Sequence, residues 1–337
     1  MLLYKMATIQ LDRPLYPFIF VGCWNNPYNT LDEGGVGGAG GAGGAGGAGG
    51  AGGAAYRPVF DAINADAAPT LILGGDNIYP LKIKGTNQRS FNLGEIQRGF
   101  NSINKESKPT VFTALGNHNI GEHDVFEKIR SLYKIPEKTY YSVDFTDATI
   151  LFLDTNIFKK SDFTDDMYLE MMHFVGTTIY RLLALRKPYY IVGHYPIAGI
   201  RYDDKYMLRG KHMLLENMSK YPPIALLTSH LHIYQKGKIQ YKAMNVTQYI
   251  VGTGGAKPDK LPILEVDGIH VRDDTFNYTV EESQRPYGYL RFASVGSPGE
   301  FIRVMDAAVG GYRKTKRAKR GKKPRGKGQN KKTRSKK

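Results

Sequence analysis

Five short apolar runs along the chain share one pattern: a β-prone stretch ends in a small residue, and polar residues follow at once. Runs of this kind are typical of strands that are buried on both faces of a sheet. A sixth run resembles them but ends in Asp154 and Thr155. In chain order, the six are FIFVGCWNN (18–26), TLILGGDNIY (70–79), VFTALGNHN (111–119), ATILFLDTN (148–156), YYIVGHYP (189–196) and IALLTSHLH (224–232).

Helical patterns lie between some of these runs. They are RPVFDAINAD (57–66), GEIQRGFNSINKE (94–106) and DMYLEMMHFVGTTIYRLLALR (166–186). The methionines and aromatic residues of the third are expected to pack in the core. Strands that alternate with helices predict a layered α/β fold. In such sheets ligands bind beyond the carboxyl ends of the strands, so the polar residues after each run are expected to gather in one place.

Composition adds a basic tail to this picture. The chain has 337 residues, 41% of them hydrophobic, and a net charge of +16. Residues 313–337 hold 15 Lys and Arg and no acid, which leaves +1 for all other residues. The charge therefore belongs to a tail, which we predict to be disordered. A tail of this kind is expected to bind nucleic acid or another polyanion non-specifically, or to act as a nuclear-localisation signal.

The remaining sequence predicts one domain over residues 1–312. Within it, residues 34–55 are a Gly/Ala repeat that offers nothing to bury, and we interpret them as a flexible surface insertion. The single cysteine excludes a disulfide within the chain, which favours a reducing compartment. The sequence shows neither a secretory layout at its start nor a run of about 18 apolar residues. We therefore expect an intracellular protein, cytoplasmic or nuclear, with no membrane partner.

Metal-ligand residue types collect directly after the apolar runs. Four of the eight histidines do so, together with an aspartate, a tyrosine and an asparagine. His230 and His232 share one face of an extended chain, and two neutral imidazoles side by side suit one divalent metal or two metals close together. The candidate residues after these runs are Asp76, Tyr79, Asn117, His118, His194, His230 and His232.

The motifs GDNIY, GNH, GHYP and SHLH, in this order and spacing, resemble those of the calcineurin-like metallophosphoesterases. Within this family, the tyrosine three residues after Asp76 and the tryptophan in the first motif resemble the motifs of the purple acid phosphatase branch. The resemblance runs from about residue 18 to about residue 310 and includes a GTGG turn (252–255) and a closing strand in GYLRFAS. It implies an α/β fold in which a layered β-sandwich of mixed sheets is flanked by helices.

The resemblance also implies a role for each candidate. Asp76 would bridge two metal ions, and His118 would face the substrate, where it stabilises charge or protonates the leaving oxygen. The second metal would be completed by Asn117, His194 and His230. The first would be bound by His232 and by Tyr79 as a phenolate.

The activity implied is hydrolysis of phosphate monoesters through a metal-bound hydroxide. Two cations can neutralise a phosphate and lower the pKa of a bound water, and a positioned histidine helps the alkoxide to leave. The expected cofactors are two divalent or trivalent ions, iron with zinc, manganese or a second iron.

The first motif departs from the family, because Cys23 stands where an aspartate ligand is expected. A thiolate is a good, soft ligand, so Cys23 is a candidate substitute; the alternative is an inert buried thiol. Asn25, Asn119 and Ser229 are smaller departures. Two alternatives therefore stay open: a phosphodiesterase or nuclease on the same scaffold, and a catalytically weak relative with a binding role.

Overall fold

The computed structural model describes residues 7–25, 56–66, 68–82, 89–103, 109–120, 123–158, 165–200, 211–259, 270–272 and 275–306. All of them belong to one unit, Met1–Ala307. A second unit, Ala308–Lys337, lies outside the described residues, as do the Gly/Ala segment and the basic tail.

Among the described residues, the strands form two mixed sheets and a separate pair, numbered here in chain order. The larger sheet has the spatial order β1 (Thr8–Gln10), β7 (Tyr141–Asp144), β8 (Thr149–Phe152), β9 (Tyr189–Val192), β10 (Ala225–Thr228), β12 (Met244–Val251), β11 (Tyr234–Tyr241), β14 (Asn277–Gln284) and β13 (His270–Arg272). The smaller sheet has the order β16 (Glu300–Asp306), β15 (Pro286–Phe292), β2 (Phe18–Val21), β3 (Thr70–Leu73) and β6 (Thr110–Thr113). The pair is β4 (Leu81–Lys82) and β5 (Arg89–Ser90).

Helices flank the two sheets, which confirms the predicted layered α/β fold. The helices are α1 (Tyr56–Asp66), α2 (Leu93–Ile103), α3 (His123–Tyr133), α4 (Asp165–Leu185) and α5 (Lys211–Lys220), with a short 3₁₀ turn at Thr155–Phe158. Helix α1 contacts β15 and β16, α3 contacts β6, and α4 packs on α5. None of the helices in the described ranges is both long enough and apolar enough to cross a bilayer.

The six apolar runs and the three helical patterns all form the elements that the sequence predicts. The runs become β2, β3, β6, β8, β9 and β10, and the patterns become α1, α2 and α4. In α4, Met171, Met172 and Phe174 are buried as expected, whereas Tyr180 is 72% exposed. The sequence analysis did not identify α3, α5 or the long strands β11, β12 and β14.

Local signals set the ends of the helices. The Asn92 side chain accepts a hydrogen bond from the Gly94 amide (2.9 Å) and caps α2. Helix α4 ends where Arg186 adopts a positive φ of 49°, with its amide bonded to Leu183 and the Lys187 amide bonded to Leu182. This pattern is a Schellman cap, and it turns the chain directly into β9.

Strand β9 shows how the layers are built, because alternate side chains point to opposite faces. Tyr190 belongs to the core between the sheets, where its ring lies 5.2 Å from Phe18 of β2 and 5.3 Å from Phe292 of β15. Tyr189 and Ile191 belong to the other core, which they share with residues of α4 and α5. Burial on both faces explains why this run is apolar throughout.

A buried carboxylate ties α4 to the edge of the larger sheet. Asp144, only 3% exposed, accepts hydrogen bonds from Arg181 of α4 (2.6 and 3.2 Å), Thr149 (2.7 Å) and Gln10 (2.9 Å). Burial by itself would raise the pKa of Asp144, but these hydrogen bonds and the Arg181 charge outweigh it and lower the pKa. The carboxylate therefore remains ionised in the folded protein.

Replacing Asp144 by Asn is expected to make stability less dependent on acid pH. A carboxylate whose folded pKa lies below its unfolded value of about 3.9 stabilises the fold above that pH and loses this contribution as the pH falls. In urea denaturation from about pH 6 to about pH 3, the wild type should lose more unfolding free energy than Asp144→Asn. Asp12→Asn, a change at an exposed carboxylate, is the control and should behave like the wild type. Equal pH dependence in the wild type and Asp144→Asn would contradict the interpretation.

Candidate metal centre

The predicted site residues follow strands whose carboxyl ends meet. Strands β2, β3 and β6 are parallel neighbours in the smaller sheet, and β9 and β10 are parallel neighbours in the larger one. Ligand atoms of Cys23, Asp76 and His194, one residue from each of three strand ends, lie within 4.8 Å of one another. All three side chains are buried. The two sheets therefore bring a thiol, a carboxyl and an imidazole to one point.

His194 is the centre of this cluster. Its Nδ1 donates to the Gly74 carbonyl (2.9 Å), so the lone pair of the neutral ring lies on Nε2. Nε2 lies 3.0 Å from Asn117 Oδ1, 3.1 Å from His230 Nδ1 and 3.4 Å from Asp76 Oδ2. Both oxygens accept hydrogen bonds and cannot donate, so lone pairs crowd around one spot. A cation stabilises such an arrangement, and the donor set therefore fits a metal ion.

Asp76 keeps its negative charge in spite of its burial. Burial by itself would raise the pKa of this carboxyl. The neighbouring His194 and His118 imidazoles outweigh that effect, so the pKa lies well below its ordinary value. The His118 amide adds a hydrogen bond of 3.0 Å to Asp76 Oδ1. A buried carboxylate that stays ionised is the group that a cation needs as its counter-charge.

Tyr79 and His232 form a second group beside the first. The Tyr79 hydroxyl lies 3.1 Å from His232 Nε2, and the side chains of Cys23 and Asp76 are its other polar neighbours. His232 Nδ1 donates to the Lys257 carbonyl (2.7 Å), which turns Nε2 toward the tyrosine. Burial raises the pKa of Tyr79 well above its usual value, and the neighbouring Cys23 and Asp76 side chains raise it further. Without a cation, the phenol stays protonated.

Cys23 lies at the floor of the site with no exposed surface. Burial and the charge of Asp76 raise the pKa of its thiol, and the nearby hydroxyl groups of Tyr79 and Ser229 offset only part of this rise. Its backbone is held at both polar groups: its amide donates to the Gly75 carbonyl (3.0 Å), and its carbonyl accepts from the Ala256 amide (2.9 Å). These contacts fix the position of the sulfur.

The backbone is strained at three of the site residues. Cys23, Asp76 and His230 have positive φ angles of 53°, 52° and 61°, in a backbone region that residues other than glycine seldom adopt. Gly75 precedes Asp76 with a φ of 87°, and a Cβ there would lie 2.5 Å from the Gly116 amide nitrogen. Strain of this kind clusters at functional sites, where the surrounding structure holds it in place.

His118, Asn117, His230 and His232 are only partly buried and form the rim of the site. The His118 ring lies 4.8 Å from the Tyr79 ring, and the His230 ring lies 4.2 Å from that of Tyr195. The structure thus brings all eight predicted site residues together, around a buried floor and an accessible rim. Their roles as ligands or catalytic groups stay predictions.

The three smaller departures from the family motif are structural residues. Asn25 donates to the backbone carbonyls of Asn77 (3.0 Å) and Glu95 (3.1 Å), so its amide is turned toward α2. Asn119 Oδ1 accepts from the amides of Asp76 (2.9 Å) and Gly116 (2.8 Å) and joins two of the motif turns. Ser229 donates to the Gly74 carbonyl, beside His194 Nδ1.

Several residues that support the candidate ligands were not predicted from the sequence. Asn156 donates to the Leu115 carbonyl (3.0 Å) and to Asp154 (2.8 Å), which links the end of β8 to the GNH turn. Asp259 accepts from the His232 amide (3.0 Å). For the Lys257 carbonyl and Asp259 no sequence signal exists, because their role depends on a contact made across the fold.

Comparison with known proteins supports the fold by structure alone. No family model matches the sequence, and no curated protein sequence matches it either. GAP50, the anchor in the inner membrane complex of Plasmodium, superposes with a TM-score of 0.57 at 11% identity, covering 87% of this chain and 86% of that one.

Two phosphatases are similar as well. Purple acid phosphatase PPD1 from yellow lupin (Lupinus luteus) seeds gives a TM-score of 0.57 at 14% identity and covers 88% of this chain but 52% of its own, so this chain spans about half of that enzyme's length. A dimetal phosphatase from Danio rerio gives a TM-score of 0.50 at 8% identity, covering 86% of this chain and 99% of its own. The chain therefore has the metallophosphoesterase-like fold that its motifs predict.

Zinc is expected to stabilise the protein, and Asp76→Asn to remove most of that effect. A ligand that binds only the folded state at about 100 times its Kd adds about 2.7 kcal/mol to the free energy of unfolding. The measurement is denaturant unfolding with and without zinc. His173→Ala, on an exposed position of α4, is the control and should keep the full shift. Equal shifts in Asp76→Asn and the wild type would show that zinc binds elsewhere.

Proposed function

We propose that this chain is a metal-dependent phosphoesterase that hydrolyses phosphate monoesters. The observation that carries the proposal is the convergence of Cys23, Asp76 and His194, with Asn117 and His230 around the same imidazole nitrogen. The fold shared with two structures named as phosphatases supports it, and so do the motifs.

Two ions are proposed, because the candidate donors fall into two overlapping groups. His194, Asn117 and His230 would hold one ion, and Tyr79, His232 and Cys23 the other, with the Asp76 carboxylate shared between them. When bound, the ions supply the charge that neutralises a phosphate and lowers the pKa of a water molecule.

The residues of the rim have their own part in the reaction. His118 is partly exposed, its amide is held by Asp76, and its ring lies 4.8 Å from that of Tyr79, which supports a role for its imidazole beside a phosphate ester bound over the buried floor. There it would donate the proton that the leaving oxygen requires. Asp76, kept ionised by its neighbours, provides the fixed counter-charge.

One finding favours a second candidate function. GAP50, which shares the fold over most of both chains, is named as an anchor in a membrane complex. Together with a cysteine in place of an expected aspartate ligand, this favours a catalytically weak relative that binds a partner. A phosphodiesterase or nuclease on the same scaffold is the remaining alternative.

His118→Ala is expected to lower kcat for a chromogenic phosphate monoester by about 10²- to 10⁴-fold, the usual contribution of a general acid. Asp76→Asn should abolish turnover, and His212→Ala, on an exposed position of α5, should retain it. The assay compares p-nitrophenyl phosphate with the bis-p-nitrophenyl diester after loading with zinc, manganese or iron. Faster hydrolysis of the diester would favour the phosphodiesterase. Absence of turnover in protein that has bound metal would favour the binding role.

We further propose that the basic tail brings the protein to a polyanion. Deleting residues 313–337 removes 15 positive charges and is expected to abolish binding to single- and double-stranded nucleic acid. Binding of the intact chain should weaken steeply with salt, because released counterions supply most of the free energy. The measurement is fluorescence anisotropy with a labelled oligonucleotide. Undiminished binding by the deletion variant would place the interaction elsewhere.

A further inference from the structure

The candidate centre differs from an all-oxygen and nitrogen site in one donor. The sulfur of Cys23 lies in the same 4.8 Å cluster as a ligand oxygen of Asp76 and a ring nitrogen of His194. Sulfur is a soft donor that favours zinc and similar ions, whereas carboxylate oxygen suits manganese and magnesium. The identity of this one side chain therefore bears directly on which ion the site accepts.

The fold holds the sulfur of Cys23 at the floor of the candidate site. The side chain has no exposed surface, and its backbone is clamped between Gly75 and Ala256. It packs with Tyr79 and Ala256 in a small cluster apart from the two main cores. The turn at Cys23, with a φ of 53°, places the sulfur beside the Asp76 carboxylate and the His194 imidazole.

We propose that Cys23 makes this centre selective for a thiophilic divalent ion, of which zinc is the biological example, over manganese and magnesium. The inference rests on the proposed metal centre and adds the class of ion that it takes. Every site of nitrogen and oxygen donors binds zinc more tightly than manganese. The proposal therefore concerns the additional preference that the sulfur provides, and that difference can be measured.

Cobalt provides a direct test in the intact protein. Cys23 is the only cysteine of the chain, so a thiolate-to-cobalt charge-transfer band in the near ultraviolet can arise from no other residue. We expect this band to grow to saturation as Co²⁺ is added to the wild type and to disappear when zinc displaces the cobalt. In Cys23→Ser, which removes the sulfur at nearly constant size, bound cobalt should give no such band. Cobalt bound to the wild type without the band would overturn the proposal.

Selectivity is tested by competition between zinc and manganese. In Cys23→Asp, which restores a hard oxygen donor, the ratio of zinc to manganese affinity should fall by at least about tenfold, the smallest effect commonly seen when the surroundings of a metal ligand are altered. Aspartate tolerates a positive φ better than most residues, so the variant is expected to fold. Denaturant unfolding of the metal-free variant checks this.

The outcomes separate this inference from the proposed function. An unchanged affinity ratio in a folded Cys23→Asp, with phosphomonoester turnover retained, overturns the selectivity proposal and leaves the phosphoesterase intact. A wild type that binds none of zinc, cobalt or manganese overturns both. A thiolate band together with a reduced ratio in Cys23→Asp supports the selectivity proposal, whichever phosphate ester is hydrolysed.

Discussion

The candidate site depends on one side chain that joins the two sheets. His194 follows β9 of the larger sheet, and its Nδ1 donates to the Gly74 carbonyl, directly after β3 of the smaller sheet. The same hydrogen bond fixes the tautomer and leaves Nε2 facing Asp76, Asn117 and His230. A shift of one sheet against the other would break this bond and move the donors apart. The geometry of the site therefore depends on the packing of the two sheets.

Small residues make this close approach possible. A Cβ on Gly22 would lie 2.4 Å from Ser229 Cβ, and one on Gly116 would lie 2.2 Å from Asp76 Oδ1. Gly22 directly follows β2 and Gly116 lies in the turn after β6, so any side chain there would push the two sheets or the motif turns apart. Away from the site, aromatic rings hold the sheets together: Tyr190 of β9 meets Phe18 at 5.2 Å and Phe292 at 5.3 Å, both of the smaller sheet. Dense packing on one side thus supports strained turns on the other.

The electrostatics of the site follow from its burial. Thiol, phenol and carboxyl groups are held together in a buried site, and the pKa values of two of them, Cys23 and Tyr79, are raised. Only Asp76, next to two imidazoles, has a lowered pKa. A cation would reverse this balance, because it stabilises the anionic form of every donor at once. This is why the same residues are consistent with a catalytic metal centre and, if the ions bind weakly, with a structural relative that only binds a partner.

The sequence by itself determined which segments form the strands that carry the site, the predicted helices α1, α2 and α4, and the choice of all eight candidate residues. These signals are local, because an apolar run followed by metal-ligand residue types can be recognised without knowing which strands lie beside it. Only the tertiary structure decided which donors meet, that Asn25 turns toward α2, and that Asn119, Asn156 and Asp259 hold the ligands in place. The strands β11, β12 and β14 also escaped prediction, because part of each is half-exposed or polar and their pairing brings together residues far apart in the chain. A hydrogen bond between residues separated by 120 positions, such as that of His194 with Gly74, depends on the packing of two sheets and leaves no trace in the local sequence.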